Sequence, residues 1–252
     1  MRRLTLLLLL VLAACSTDNY DPARDYFTFA NTDQFVSSHL ALDLLVDFQS
    51  ERLSGTATLT LQWIDKDARQ VHLDTRDLSI EDTRVSRDGT SWSEAEFQVG
   101  QRDDRLGAKL TVTLPGDLSP SDTLLVAIRY STDPDSTALQ WLPKELTSGG
   151  QHPMLFSQSQ AIHARSWVPL QDTPSVRITY EADIRTPNDL LAVMSADNDP
   201  GADRDGEYRF EMPQPIPPYL LAIAVGNIYF APIGDDTGVY AEPEILDAAT
   251  FE

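Results

Sequence analysis

The chain has 252 residues, a length that allows one large domain or two small ones and a sizeable core. Its 39 acidic residues against 19 basic ones leave a net charge of -20, which opposes nucleic acid and anionic membrane surfaces as partners reached through charge. Hydrophobic residues make up 42% of the sequence, close to the ordinary share, so the acidity belongs to the surface of a folded body and not to a disordered chain.

Residues 1–14 read as an export signal. Arg2 and Arg3 open it, Leu4 to Leu12 form an apolar run too short to span a bilayer comfortably, and Leu12-Ala13-Ala14-Cys15 follows at once. Those four residues resemble the bacterial lipobox, which implies cleavage before Cys15 and lipid attachment to its thiol. Cys15 is the only cysteine, so an intramolecular disulfide is impossible, and an anchor explains it better than a nucleophile or a metal ligand. Ser16 next to it favours the outer membrane over the inner one, by resemblance to the sorting of Gram-negative lipoproteins. The expected location is the cell envelope, facing the periplasm. Residues 15–30 are polar, rich in Asp and without period, and read as a lipid-anchored tether.

Strands begin after it. Leu40, Leu42, Leu44, Val46 and Phe48 fall on alternate positions, as do Ala57, Leu59, Leu61 and Trp63, so both runs predict half-buried strands. Glu51-Arg52 and Ser54-Gly55 between them suit a hairpin turn. Alternation returns in Val71-Leu73, Leu110-Leu114, Leu124-Tyr130 and Val176-Ile184. The breakers Asp88-Gly89, Pro115-Gly116, Asp133-Pro134 and Asn198-Asp199-Pro200-Gly201 punctuate these runs as they do in antiparallel sheets. Tyr219 to Val225, between Pro217-Pro218 and Gly226, predicts a strand buried on both faces. The fold expected is all-β over residues 31–238. A helix is expected in the tail, 239–252, where Glu242-Pro243-Glu244 precedes Ile245, Leu246, Ala248, Ala249 and Phe251. It stops without a C-cap after about two turns, so the tail is expected to be the truncated start of a further domain.

Reaction motifs are absent from the sequence: no H-E-x-x-H, no G-x-S-x-G, no P-loop and no G-x-G-x-x-G. His39, His72, His152 and His163 include no pair at i, i+4, so structural or surface roles are expected for them and no metal site. The acid-rich stretch 197–207 fails the EF-hand template, because Gly201 stands where an oxygen ligand is needed, and reads as a solvated turn. Trp63, Trp92, Trp141 and Trp167 could line a carbohydrate groove but suit core packing as well.

One ordered set of segments goes beyond composition. It runs through Ala138-Leu139-Gln140-Trp141-Leu142, Thr147-Ser148-Gly149, His152-Pro153, Leu155 to His163 with its Gln158-Ser159-Gln160-Ala161 core, and Gln171-Asp172-Thr173-Pro174-Ser175-Val176. Leu73 to Leu78 and Pro215 to Ala222 flank it. Together these segments resemble the N-terminal domain of the family M1 zinc metallopeptidases, in the branch of leukotriene A4 hydrolase and aminopeptidase B, over residues 35–252. The resemblance implies a saddle-shaped, mainly antiparallel β domain packed over a helical catalytic domain. Zinc ligands, general base and G-x-M-E-N loop lie in that second domain, so no catalytic residue and no metal ligand is expected in this chain, which alone is expected to be inactive. Zinc and peptide substrates belong to the full-length parent, an aminopeptidase.

The resemblance also implies a site. A loop carrying Q-x-Q-A reaches the cleft in this family, where a Gln helps to hold the substrate's free α-amino group; Gln160 matches that position, with Gln158 and Ala161 beside it. An amide oxygen accepts a hydrogen bond from an ammonium without adding a titratable charge. The plainer alternative is that Gln158 and Gln160 only tie a loop together. The rival for the whole chain is a non-enzymatic envelope lipoprotein that binds peptide or protein. Epoxide hydrolysis of a lipid rests on branch similarity alone.

Overall fold

A computed structural model describes residues 21, 24–119, 123–235 and 237–251. The export signal and Cys15 lie outside the described residues. The chain is organised by one long hairpin. β1 (Phe35–Asp47) and β2 (Arg52–Trp63) pair antiparallel from Phe35 opposite Trp63 to Asp47 opposite Arg52, with one irregularity between Ser37 and His39. Leu40, Leu42 and Leu44 of β1 and Leu59 and Leu61 of β2 turn to the core, as their alternation predicts.

The turn sits earlier than expected. Asp47 closes residues 48–51 by accepting from the Gln49 N–H at 2.8 Å and the Ser50 hydroxyl at 2.6 Å, bonds that hold its carboxyl below the usual range. Gly55 therefore lies inside β2, where a Cβ would stand 1.9 Å from the carbonyl oxygen of Asp43. Its smallness serves a close strand approach and not a turn.

Around this hairpin a seven-stranded sheet is built. Its order is β13 (Glu207–Ile216), β11 (Ile178–Arg185), β1, β2, β8 (Leu124–Ser131), β4 (Ser79–Ser86) and β5 (Trp92–Glu94). β1 and β11 run parallel, from His39 beside Thr179 to Leu45 beside Arg185, and the other pairs are antiparallel. Pro213 and Pro215 fit β13 because it is an edge strand, where missing amide donors cost least.

Three smaller sheets complete the body. β3 (Gln70–Thr75), β7 (Ala108–Thr113) and β6 (Glu96–Val99) form one; β12 (Leu191–Met194), β14 (Ile223–Gly226), β10 (Met154–Ser157) and β9 (Leu139–Leu142) form the next. β15 (Tyr229–Pro232) and β16 (Gly238–Ala241) pair by themselves, so the strand structure crosses residue 238. Leu73, Val112, Leu155 and Val225 from the smaller sheets join Leu59 and Ile184 in one buried cluster.

Three expectations need correction. Tyr219 to Val225 is not one strand: Pro217-Pro218 opens a 3₁₀ turn over Pro218–Leu220, closed by Leu220 N–H to Pro217 O at 3.0 Å, and only Ile223–Gly226 is extended. Proline at the first turn position presets that geometry. The tail helix α1 (Leu246–Ala249) has one turn and starts after Pro243-Glu244, because Glu242 is occupied elsewhere: its carboxylate accepts from the Ser148 N–H at 2.9 Å. Residues 25–29, expected in the tether, belong to the folded body. They bond to buried groups described below.

Gly55→Ala is expected to lower the thermal midpoint and to cost more than about 1 kcal/mol in a urea melt, since β1 and β2 must separate locally to admit the methyl. An unchanged melt would mean that the hairpin tolerates the methyl without moving.

Candidate functional site

The Gln158-Ser159-Gln160-Ala161 segment leaves the end of β10, and its central serine pins it. The Ser159 hydroxyl donates to the Leu221 carbonyl at 2.7 Å and accepts from the Trp167 indole N–H at 3.1 Å, while the Ser159 carbonyl accepts from the His163 N–H at 2.9 Å. Ser159 is buried, and Gln158, Gln160 and Ala161 on either side are exposed. The sequence reading passed over Ser159, although a small hydroxyl between two exposed glutamines is the signal of such a pin.

The two glutamines differ. The Gln158 side-chain oxygen accepts from the Gln160 backbone N–H at 3.0 Å, so it closes the loop. The Gln160 side chain makes no hydrogen bond among the described residues and borders a cleft of about 640 Å³ with a mainly apolar lining. Ala161 and Ile162 line the same cleft, together with Phe27, Arg105 and Tyr219. The Gln160–Ala161 peptide bond is cis.

A buried ion cluster holds these parts together. Arg165, fully buried, places its Nε 3.0 Å from Asp172 Oδ2 and its Nη1 3.5 Å from Asp74 Oδ1. Its remaining donors reach the carbonyls of Leu106 (2.9 Å), Phe27 (2.8 Å) and Asp172 (2.9 Å). Asp74 also accepts from the Phe29 N–H at 2.7 Å, the Thr28 hydroxyl at 2.5 Å and the Asp172 N–H at 2.9 Å. Burial pushes the Asp74 carboxyl up to about 6 against the pull of Arg165, and burial raises Asp172 as well. At neutral pH Asp74 is thus ionised and compensated by a full shell of donors.

Segments far apart in sequence meet here. Phe27 and Thr28 come from the N-terminal stretch, Asp74 from the end of β3, Leu106 from the turn before β7, and Arg165 and Asp172 from the chain after the glutamine loop. Thr173 then donates to Asp25 at 2.6 Å, which fixes the N-terminal stretch again. Arg165 was absent from the sequence reading. Asp74-Thr75 and Asp172-Thr173 are two of five Asp-Thr dipeptides in the sequence, so nothing local marks these carboxylates as the ones that need a buried cation.

The other candidates are structural. His163 Nδ1 lies 2.8 Å from the Thr137 hydroxyl, and burial with the charges of Arg76 and Arg165 lowers its pKa, so the ring is neutral at pH 7. His39 Nδ1 pairs with the Thr179 hydroxyl at 2.8 Å. Among the described residues no three His, Cys, Asp or Glu side chains gather as a metal ion would require. Trp167 is fully buried, Trp63 packs on Phe35 at 5.4 Å, and Trp141 meets Phe48 edge-on at 5.3 Å. In the acid-rich stretch, Asp199 and Asp205 accept from the N–H groups of Gly201 and Glu207 and so close turns.

The fold and the loop define a β domain that presents a free amide to a cleft and carries no catalytic constellation among its described residues. Residues 19–220 match the peptidase M1 N-terminal domain, and the chain belongs to that family. It is 37% identical over 233 residues to leukotriene A-4 hydrolase of Xenopus laevis, covering 90% of this chain and 37% of the relative. It is 38% identical over 234 residues to leucine aminopeptidase 2 of Yarrowia lipolytica, covering 92% and 34%. The solved structure of yeast LTA4 hydrolase in complex with bestatin superimposes with a TM-score of 0.82 at 37% identity, over 92% of this chain and 35% of that one. An M1 zinc metallopeptidase from Deinococcus radiodurans shares the fold at 21% identity, with a TM-score of 0.59 over 82% of this chain and 46% of that one. The chain thus spans little more than a third of the length of the two relatives, 37% and 34%.

Arg165→Ala would leave Asp74 and Asp172 buried without their cation. The expected cost is about 3–5 kcal/mol in chemical denaturation, with the N-terminal stretch released to proteolysis. A loss under about 1 kcal/mol would show that the cluster is dispensable.

Proposed function

We propose that this chain is the substrate-facing N-terminal β domain of an exported, lipid-anchored zinc aminopeptidase that removes N-terminal residues from peptides. Gln160 is assigned the role of accepting a hydrogen bond from the free α-amino group, with Gln158 and Ala161 shaping its loop. The observation that carries this reading is the division between the two amides: Gln158 is spent inside the loop, and Gln160 stands free at the cleft. A rigid pin at Ser159 favours such a role, because holding an ammonium at a fixed place requires a loop with few alternatives.

In an enzyme of this class a bound zinc would supply Lewis-acid polarisation of the scissile carbonyl and of water. The described residues do not fit a zinc site, so no hydrolytic step is assigned to them. The peptidase activity, its zinc and its peptide substrates are therefore proposed for a full-length protein that also holds a catalytic domain, with residues 239–252 leading into it. Relatives named leucine aminopeptidase 2 and leukotriene A-4 hydrolase support that reading over most of this chain's length. The anchor is assigned to Cys15 because Leu12-Ala13-Ala14-Cys15 resembles a lipobox, and Ser16 beside it favours the outer membrane, facing the periplasm.

In the full-length enzyme, Gln160→Ala is expected to lower kcat/KM for aminoacyl-naphthylamides by about tenfold, the equivalent of one charge-assisted hydrogen bond. An unchanged value would remove Gln160 from the site. The chain by itself should hydrolyse none of them, and zinc-dependent turnover by it would refute the division of labour. Cys15→Ser should abolish incorporation of labelled fatty acid and move the protein out of the membrane fraction; retention of both would exclude the anchor.

A further inference from the structure

In a chain with 39 acids against 19 bases, two arginines, Arg24 and Arg105, border the cleft beside Gln160. Neither forms a salt bridge among the described residues, as is also true of Arg52, Arg69, Arg177 and Arg204, whereas Arg84, Arg102, Arg129, Arg185 and Arg209 each do. Aromatic rings of the N-terminal stretch hold both guanidinium groups instead: Arg24 lies 5.2 Å from the ring centre of Tyr26, and Arg105 lies 5.5 Å from that of Phe27. Stacking of this kind orients the planar fork and leaves its edge donors open.

The neighbouring acids are already committed. Asp25 lines the cleft, but its Oδ1 accepts from the Phe27 N–H at 2.8 Å and its Oδ2 from the Thr173 hydroxyl at 2.6 Å. Asp103 accepts from the backbone N–H groups of Leu106 at 2.7 Å and Arg105 at 2.8 Å, and these bonds, with the nearby charges of Arg105 and Arg76, hold its carboxyl below the usual range. The backbone that carries Arg105 is itself fixed, since its carbonyl accepts from the buried Arg76 guanidinium. One cleft thus presents a free neutral acceptor, an apolar lining and two open, ring-held cations.

We infer that Arg24 and Arg105 form a carboxylate-binding subsite, so that the cleft selects peptides carrying a negative charge a short distance from the free amine. The inference rests on the proposed role of the cleft as the peptide site and adds its substrate class. A planar guanidinium matches a carboxylate in two parallel hydrogen bonds, and an apolar lining strengthens the pairing by keeping water away. The carboxylate could come from an Asp or Glu side chain or from the end of a short peptide, and the two sources are separable by amidation.

The test uses calorimetric titration of the purified chain with Ala-Glu-Ala amide, Ala-Gln-Ala amide and Ala-Gln-Ala free acid. The Glu peptide is expected to bind about tenfold more tightly than its Gln counterpart at low salt, with the advantage shrinking as salt rises. A gain for the free acid over its amide would identify the terminal carboxylate as a second source. Arg24→Gln with Arg105→Gln should abolish the preference and leave the thermal midpoint unchanged. Gln160→Ala should weaken all three peptides and leave the preference intact, so the amine reading and the carboxylate reading can fail separately. Equal binding of the Glu and Gln peptides, no binding of either, or a preference that survives the double substitution would overturn the subsite.

Discussion

The ion cluster of Arg165 with Asp74 and Asp172 is the constraint on which the site depends. A buried guanidinium satisfies its donors only when every partner is in place, and here the partners come from four stretches of chain. Ordering them costs entropy, and burying three charges costs desolvation, so the cluster is a poor source of raw stability. Its effect is geometric. The carbonyl of Phe27 and the carboxylate of Asp74 can meet Arg165 only if the N-terminal stretch lies across the body, and that stretch then supplies Phe27, Arg24 and Asp25 to the cleft.

The glutamine loop is held from the other side by neutral bonds. Ser159 links the β10 exit to Leu221 after the 3₁₀ turn and to the indole of Trp167, two residues beyond Arg165. The cluster and the serine pin are thus joined through one short segment, 159–167, and the cleft lies beside it. Tyr130 strengthens the same segment, donating its hydroxyl to the Trp167 carbonyl at 2.8 Å from near the end of β8. Rigidity reaches the loop from the largest sheet by this route.

Charge is distributed unevenly over the molecule. The outward residues of the large sheet carry opposite charges across neighbouring strands, such as Arg185 with Asp43 at 2.6 Å and Arg209 with Glu181 at 3.0 Å, all well exposed. Pairs in that setting contribute little stability individually and chiefly keep an acidic surface solvated. At the cleft Arg24 and Arg105 stack on Tyr26 and Phe27, as Arg69 and Arg204 stack on Trp63 and Tyr229 elsewhere.

The long strands were legible in sequence because one face of each is buried, which leaves period-two alternation in Leu40 to Val46, Ala57 to Leu61 and Leu124 to Tyr130. Short and edge strands such as Trp92–Glu94 and Glu96–Val99 left no such trace, since exposed faces impose no pattern. Gly55 was read as a turn residue, because sequence shows its freedom but not the carbonyl of Asp43 against it. Gln158, Gln160 and Ala161 stand out in the sequence only through resemblance, and the hydrogen bond that sets the two glutamines apart does not show there. By itself the sequence determined the β class and the acidic surface, which depend on local pattern and composition, and pointed to the family through the resemblance of its ordered segments. Only the tertiary structure decided which carboxylates share Arg165, that residues 25–29 join the body, and that Gln160 borders a cleft with Phe27 and Arg105, because each is a matter of contact between residues distant along the chain.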